Sequence, residues 1–173
     1  LKLFLSKALK NSDMVILSGG ISMGRYDYVR DVLIELGVEE HFWKVAQKPG
    51  KPLFFGTKEK KIIFGLPGNP VSSFIGFMEW IWPVLRDIMG GKSKKTVYGI
   101  LDEPFPREKK MHRFLFGEVR YRNNRLVCSS TRKIGSHMLT SALGANCILE
   151  SSPAATHLNP GDLIKVNLLP WKT

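Results

Sequence analysis

The chain has 173 residues, 43% of them hydrophobic, with a formal net charge of +11 and two cysteines. That length holds one large domain or two small ones, and the apolar fraction calls for a packed core rather than disorder. Cys128 and Cys147 form no CxxC pair and have no histidine at metal-ligand spacing. Neither a disulfide scaffold nor a zinc site is expected, and reduced thiols fit a cytoplasmic protein.

From the first residue, Leu1, Leu5, Ala8 and Leu9 fall on one helical face, which predicts a helix ending near Asn11. The opening apolar run is broken by Lys7 and Lys10 too soon for a secretory signal. A start without methionine on a helix-like run suggests a piece of something longer. Residues 14–17 are a short unbroken apolar run, the pattern of a strand buried on both faces. The loop Ser18-Gly19-Gly20-Ile21-Ser22-Met23-Gly24 follows and runs to Asp27. Successive amides in a glycine turn at a strand's end make an anion-binding concavity, and Ser22 can donate to a phosphate oxygen. Asp27 can hold a magnesium ion that bridges phosphates, or it can simply cap the helix that begins at Tyr28. Val29, Val32, Leu33 and Leu36 carry that helix, and Gly37 stops it.

Residues 42–47 are expected to be the next strand. Lys48-Pro49-Gly50-Lys51-Pro52 comes after it, with two lysines three apart in a proline-locked segment. Both can point into one cleft and bind an oxyanion, or the segment is a solvated connection. Residues 53–56 and 61–65 flank the polar tip Lys58-Glu59-Lys60-Lys61 as a hairpin. Gly65-Leu66-Pro67-Gly68-Asn69-Pro70 then leads into an apolar helix, with Asn69 as cap and Pro70 as first helical residue. The free amides there, with Ser72 and Ser73 close by, can receive an anion; a capped core helix is the alternative. Val71, Phe74, Ile75, Met78, Trp82, Leu85 and Met89 keep a helical stripe, which Pro83 should kink or divide. Residues 71–89 also contain Glu79, Arg86 and Asp87, so this is a core helix and not a membrane span.

The stretch 90–95 reads as a linker, after which the texture changes to short strands at 96–101, 114–121, 125–129, 146–150 and 162–168. Two domains are therefore expected: an α/β domain over 1–91, in three layers, and a small all-β, barrel-like domain over 92–173. Charge is uneven between them, +3 in the first and +8 in the second. The basic clusters lack interleaved aromatic residues, so nucleic acid is not the expected partner. In the β half only Gly135-Ser136-His137-Met138 looks site-like, with His112 and Arg113 as further candidates.

Taken together, these loops resemble the C-terminal part of the molybdopterin molybdenumtransferase family, the MoeA proteins and the E domain of gephyrin. The likeness rests on Ser18-Gly19-Gly20-x-Ser22-x-Gly24-x-x-Asp27-Tyr28, Phe42-Trp43-Lys44, Lys48-Pro49-Gly50-Lys51-Pro52 and Gly65-Leu66-Pro67-Gly68-Asn69-Pro70-Val71-Ser72, and extends through Gly135-Ser136-His137 and Pro160-Gly161-Asp162. It implies a molybdopterin-binding α/β/α domain, truncated at its start, and an enzyme of molybdenum cofactor biosynthesis. That enzyme inserts molybdate into adenylated molybdopterin with magnesium and releases AMP. It implies that Gly19, Gly20, Ser22, Gly24, Lys44, Pro67, Gly68, Asn69, Pro70 and Ser72 face substrate and phosphates. Asp27, Lys48 and Lys51 would be catalytic, Asp27 also holding the metal, and Lys51, Ser72, Arg113 and Ser136 would meet molybdate. It further implies a cytoplasmic homodimer, with the 173-residue piece inactive alone. The family's arginine near 113–117 has no fixed counterpart in His112-Arg113-Phe114-Leu115-Phe116-Gly117. The alternatives are a gephyrin-like scaffold or interaction module and the related molybdopterin adenylyltransferase; the β half argues against the latter.

Overall fold

The computed structural model describes residues 1–22, 24, 27–91, 96–106, 110–131, 139–155 and 158–171. It divides into two units, Leu1–Val45 with Gly50–Leu85, and Ala46–Pro49 with Arg86–Thr173. In chain order the first stretch forms α1 (Lys2–Asn11), β1 (Met14–Ser18), α2 (Val29–Glu35) and β2 (Glu39–Trp43). The short strand β3 (Gln47–Lys48) is followed by β4 (Phe54–Lys58), β5 (Lys61–Leu66), α3 (Pro70–Gly76) and α4 (Trp82–Ile88).

The first unit is a four-stranded mixed sheet in the order β1-β5-β4-β2. Strand alternation sorts its side chains into two cores. Val15, Phe54 and Ile63 pack with Leu5 and Leu9 of α1 and Leu33 of α2. Phe64 and Leu66 go to the other face, with Ile81, Phe77 and Leu85. Helices therefore cover both faces, in the three layers expected. The β4–β5 hairpin also forms as expected, Lys58 facing Lys61 across a tip where Glu59 takes φ 55°.

Helix α2 ends in a Schellman motif: Val38 N–H donates to the Leu33 carbonyl (3.0 Å) and Gly37 N–H to that of Ile34 (2.9 Å). Gly37 supplies the left-handed turn at φ 82°, and Leu33 and Val38 close the same core.

Three expectations are corrected, and a fourth is met in a particular form. Strand β1 is buried on one face only, with Ile16 exposed, because it is the edge of its sheet. Leu1 is exposed too, leaving Leu5 and Leu9 as the buried stripe of α1. The strand expected over 42–47 is instead β2, ending at Trp43, and a separate β3; Lys44 at φ 78° breaks the extended chain between them. Pro83, expected to kink or divide its helix, follows an interruption that separates α3 from α4. The turn before it, Phe77–Ile81, widens to π geometry, with Trp82 N–H donating to the Phe77 carbonyl, and α4 continues from there. Proline has no N–H to donate to an α-helical ladder, and the wider turn accommodates the gap.

In the second unit the strands are β6 (Val97–Leu101), β7 (His112–Arg122), β8 (Arg125–Ser130), β9 (Cys147–Ser151) and β10 (Leu163–Leu168). Their order β7-β8-β6-β10-β9 closes back on β7, making a five-stranded barrel without free edges among these strands. Asn123 and Asn124, both at positive φ (48° and 62°), form the two-residue turn between β7 and β8. Strand β3 adds outside the barrel, parallel to the start of β7. For that reason Ala46–Pro49 belongs to this unit, although it lies within 1–91.

Leu101, Leu115, Cys128, Cys147, Leu149 and Val166 fill the barrel. Burial, with the charge of Asp102 adding, pushes the Cys128 thiol from 9.0 up to about 11. A raised folded-state value means that the neutral thiol is favoured in the fold. Stability should therefore be undiminished by this group below about pH 9 and be lost as pH climbs through 11. The expected loss is roughly 2 kcal/mol by pH 11. Denaturant melts of wild type and Cys128→Ala from pH 8 to 11 should converge by that amount; parallel curves would refute it.

Candidate functional site

Two of the three glycine loops meet in the first unit. Because β1 and β5 are parallel neighbours, their C-terminal ends lie side by side, with Ser18 opposite Leu66. Gly19 N–H donates to the Leu66 carbonyl (2.9 Å), and a side chain at Gly68 would lie 3.6 Å from Gly19 Cα. Ser18 Oγ donates to the Pro67 carbonyl (3.3 Å) and lies 3.3 Å from Ser73 Oγ. The Ser73 hydroxyl itself reaches the Pro67 carbonyl and that of Asn69 (3.1 Å). The loops are thus latched by serines and held close by two facing glycines. Gly19 and Gly20 take φ 88° and 73°, the left-handed region that favours glycine.

Asn69 caps α3 as expected: its Oδ1 accepts from Ser72 N–H (3.2 Å) and Ser72 Oγ (3.3 Å), and Pro70 is the first helical residue. Ser72 is buried at 6% exposure with its hydroxyl on Asn69, while Gly68 is exposed.

Ser22 is exposed, and Met23 lies outside the described residues. Gly24 N–H donates to Asp27 Oδ2 (2.6 Å), and Asp27 N–H returns a bond to the Gly24 carbonyl (3.0 Å). Asp27 therefore closes its own turn and does not cap α2, whose N-cap is Tyr28 with no side-chain bond. A carboxylate whose Oδ1 has no hydrogen bond among the described residues can give a magnesium ion one ligand. The described residues contain no group of three or more metal-ligating side chains. Any magnesium here would need phosphate oxygens and water to complete its shell.

Lys44 is half-buried, with its ammonium 3.8 Å from the centre of the Trp43 ring. Arg30 lies 4.5 Å from the same ring and is paired with Glu40 through two bonds of 2.6 and 2.9 Å. The bond to Glu40 raises the Arg30 guanidinium above its ordinary value. Trp43 Nε1–H donates to the Ile21 carbonyl (2.7 Å), next to Ser22. Left-handed backbone at a lysine costs of order 1 kcal/mol and persists where the surroundings enforce it. Here Lys44 N–H is fixed to the Leu53 carbonyl (3.0 Å).

Lys48 and Lys51 belong to different units. Lys51 is exposed in the first, its carbonyl accepting from Val45 N–H (2.9 Å). Lys48 is exposed in β3, opposite Arg113 of β7, which in turn faces Ser151 of β9. The Lys48–Pro49 peptide bond is cis. Ser151 Oγ is buried with no hydrogen-bond partner among the described residues. His112 is tied to the half-buried carboxylate of Glu150 (3.1 Å), which also holds Lys165 (2.7 Å) and Asn167 (3.3 Å). Ser136, with Gly135 and His137, lies outside the described residues. A polar groove of about 760 Å³ runs along β7 and β8, but none of the sequence-predicted site residues among the described residues lines it. Its Glu118 pairs with Arg120 and its Glu103 accepts from Ser130.

Residues 1–87 match the sequence profile of the family described as "Probable molybdopterin binding domain". The chain belongs to that family. In this molybdopterin-binding family member, residues 98–169 also match the MoeA C-terminal region, domain IV. A molybdopterin molybdenumtransferase of Haemophilus influenzae is 31% identical over 163 residues, covering 92% of this chain and 40% of that protein. The molybdenum cofactor synthesis protein cinnamon of Drosophila melanogaster is 35% identical over 151 residues, covering 86% of this chain and 25% of that protein. The crystal structure of the molybdopterin biosynthesis moeA protein from Pyrococcus horikosii superposes with TM-score 0.73 at 28% identity, over 96% of this chain and 40% of that one. The chain thus spans less than half the length of these relatives.

Two features of the site were not read from the sequence. Arg30 sits 13 residues before Trp43, and no periodicity announces their contact. The latch from Ser18 and Ser73 to Pro67 depends on the parallel pairing of β1 and β5. A strand ending in serine beside a proline–glycine turn is a signal only once that pairing is known.

Proposed function

We propose that the protein carrying this chain is a molybdopterin molybdenumtransferase, inserting molybdate into adenylated molybdopterin with release of AMP. The observation that carries this is the latching of the Ser18–Gly20 loop to the Leu66–Gly68 loop, in a chain of the molybdopterin-binding family. Amides and small side chains at the ends of adjacent parallel strands form the concave, donor-rich surface that phosphates use. In the first unit Gly19, Gly20, Ser22, Gly24 and Lys44 bind the phosphates. Pro67, Gly68, Asn69 and Pro70 shape the facing wall, and Lys51 and Ser72 serve the oxyanion. Ser72 does so through Asn69, since its own hydroxyl is already engaged. In the second unit, taken by itself, Lys48 and Arg113 are neighbours on paired strands and, with Ser136, are proposed to bind an oxyanion.

Magnesium would sit at Asp27, neutralising phosphate charge as the phosphoanhydride is cleaved. The enzyme is proposed to act in the cytoplasm as a homodimer. No helix among the described residues is long and apolar enough to cross a membrane.

Isothermal titration of the chain with inorganic pyrophosphate and with molybdate tests this. Both should bind, with Lys51→Ala weakening molybdate about tenfold, the scale of one charged hydrogen bond. Absence of binding by either anion would overturn the proposal.

A further inference from the structure

Trp43 lies outside the set of residues assigned above to substrate, yet it touches both halves of the phosphate subsite. Its indole N–H is bonded to the Ile21 carbonyl at 2.7 Å, immediately before Ser22. Its ring face carries the Lys44 ammonium at 3.8 Å. Consecutive residues of an extended strand point to opposite faces, so a lysine directly after Trp43 would ordinarily turn away from the ring. The left-handed backbone of Lys44 (φ 78°), fixed by its bond to Leu53, folds the side chain back over its neighbour.

The second cation on the ring, Arg30, is neutralised by Glu40. Lys44 has no carboxylate partner among the described residues, so its charge remains for a ligand. An aromatic face attracts a cation without neutralising it.

We propose that Trp43 is the positioning residue of the phosphate subsite, its N–H fixing the Ser22 loop and its ring seating Lys44, so that loop and ammonium meet a pyrophosphate group already arranged. Resting on the transferase activity proposed for this site, the inference adds how its lysine and its glycine loop are kept in register. Preorganisation of this kind raises affinity by removing the ordering cost of a flexible lysine.

The test is pyrophosphate titration of the chain and of Lys44→Ala, Trp43→Leu, Trp43→Phe and the Trp43→Leu/Lys44→Ala double variant. Proton NMR of the ligand-free proteins accompanies it. Lys44→Ala and Trp43→Leu should each weaken binding about tenfold, and the double variant by clearly less than the product of the two, because the ring acts through the lysine while the N–H acts on the loop. Trp43→Phe, which keeps a ring face and loses the N–H, should recover part of the affinity. The Lys44 side-chain methylenes should be shifted upfield by the ring in wild type and in Trp43→Phe, and return to ordinary values in Trp43→Leu. Affinity unchanged in Trp43→Leu, additive losses in the double variant, or an unshifted Lys44 would each overturn the role of Trp43 alone. Failure of the wild-type chain to bind pyrophosphate would overturn the proposed function and this role with it.

Discussion

Replacing Phe54 by alanine is expected to lower the unfolding free energy of the first unit by about 4 kcal/mol, the middle of the range for buried aromatics. Phe54 is fully buried on β4, on the face covered by α1 and α2. Its neighbours along and across the sheet are glycines. A methyl group built on Gly56 would lie 3.1 Å from the Phe54 ring, and one on Gly65 would lie 3.1 Å from its Cβ. The phenyl group fills space that two bare backbones leave open, and the two glycines have no side chains of their own to relax into the hole. Collapse of the site is what lowers the cost of such truncations elsewhere. Denaturant unfolding followed by tryptophan fluorescence measures the loss, and a value below 1 kcal/mol would show that the sheet closes over the cavity.

The largest effect on activity is expected from Gly19→Val. The backbone at φ 88° is poor for any side chain and worse for a branched one, a strain of about 1–3 kcal/mol. A Cβ at Gly19 would sit 3.9 Å from Gly68 Cα, which is tolerable, but the two branches beyond it would fill the narrow gap between the loops. Displacing a phosphate by about 1 Å costs on the order of a hundredfold in rate. AMP release by the intact enzyme should therefore fall about a hundredfold, with pyrophosphate affinity falling alongside it. Gly19→Ala, which adds only the tolerable methyl, should lose far less. Rates within threefold of wild type for the valine variant would mean that the gap is not where phosphate sits.

Much of this was legible from the chain because the loops punctuate it. Asn69 and Pro70 announce the start of α3, Gly37 the end of α2, and Asn123-Asn124 the hairpin of the barrel. Each residue type has one dominant local reason to be where it is. Alternation in Ile62, Ile63 and Phe64 likewise fixes which face each side chain serves. The failures lie where tertiary pairing overrides local preference. Nothing in Phe42-Trp43-Lys44-Val45-Ala46-Gln47 says that a lysine will adopt left-handed backbone, so an unbroken strand was the natural expectation. Asp27 before a helix has the sequence of a cap, yet its carboxylate reaches Gly24 N–H instead. The short proline–glycine segment reads as a single lysine-bearing loop. Its two lysines are distributed between units because Gln47 and Lys48 find a backbone partner in β7, some 65 residues later.

That last pairing bears on how the molecule can be taken apart. Ala46 accepts a bond from His112 N–H at 2.8 Å, so the tetrapeptide from Ala46 to Pro49 is a structural component of the barrel, encoded far upstream of it. A chimaera that grafts residues 92–173 onto the front half of a relative would inherit that relative's tetrapeptide against this β7. Compatibility at Gln47↔His112 and Lys48↔Arg113 then becomes a condition for a functional exchange, and the exchangeable cassette is a barrel plus four residues borrowed from the middle of its neighbour.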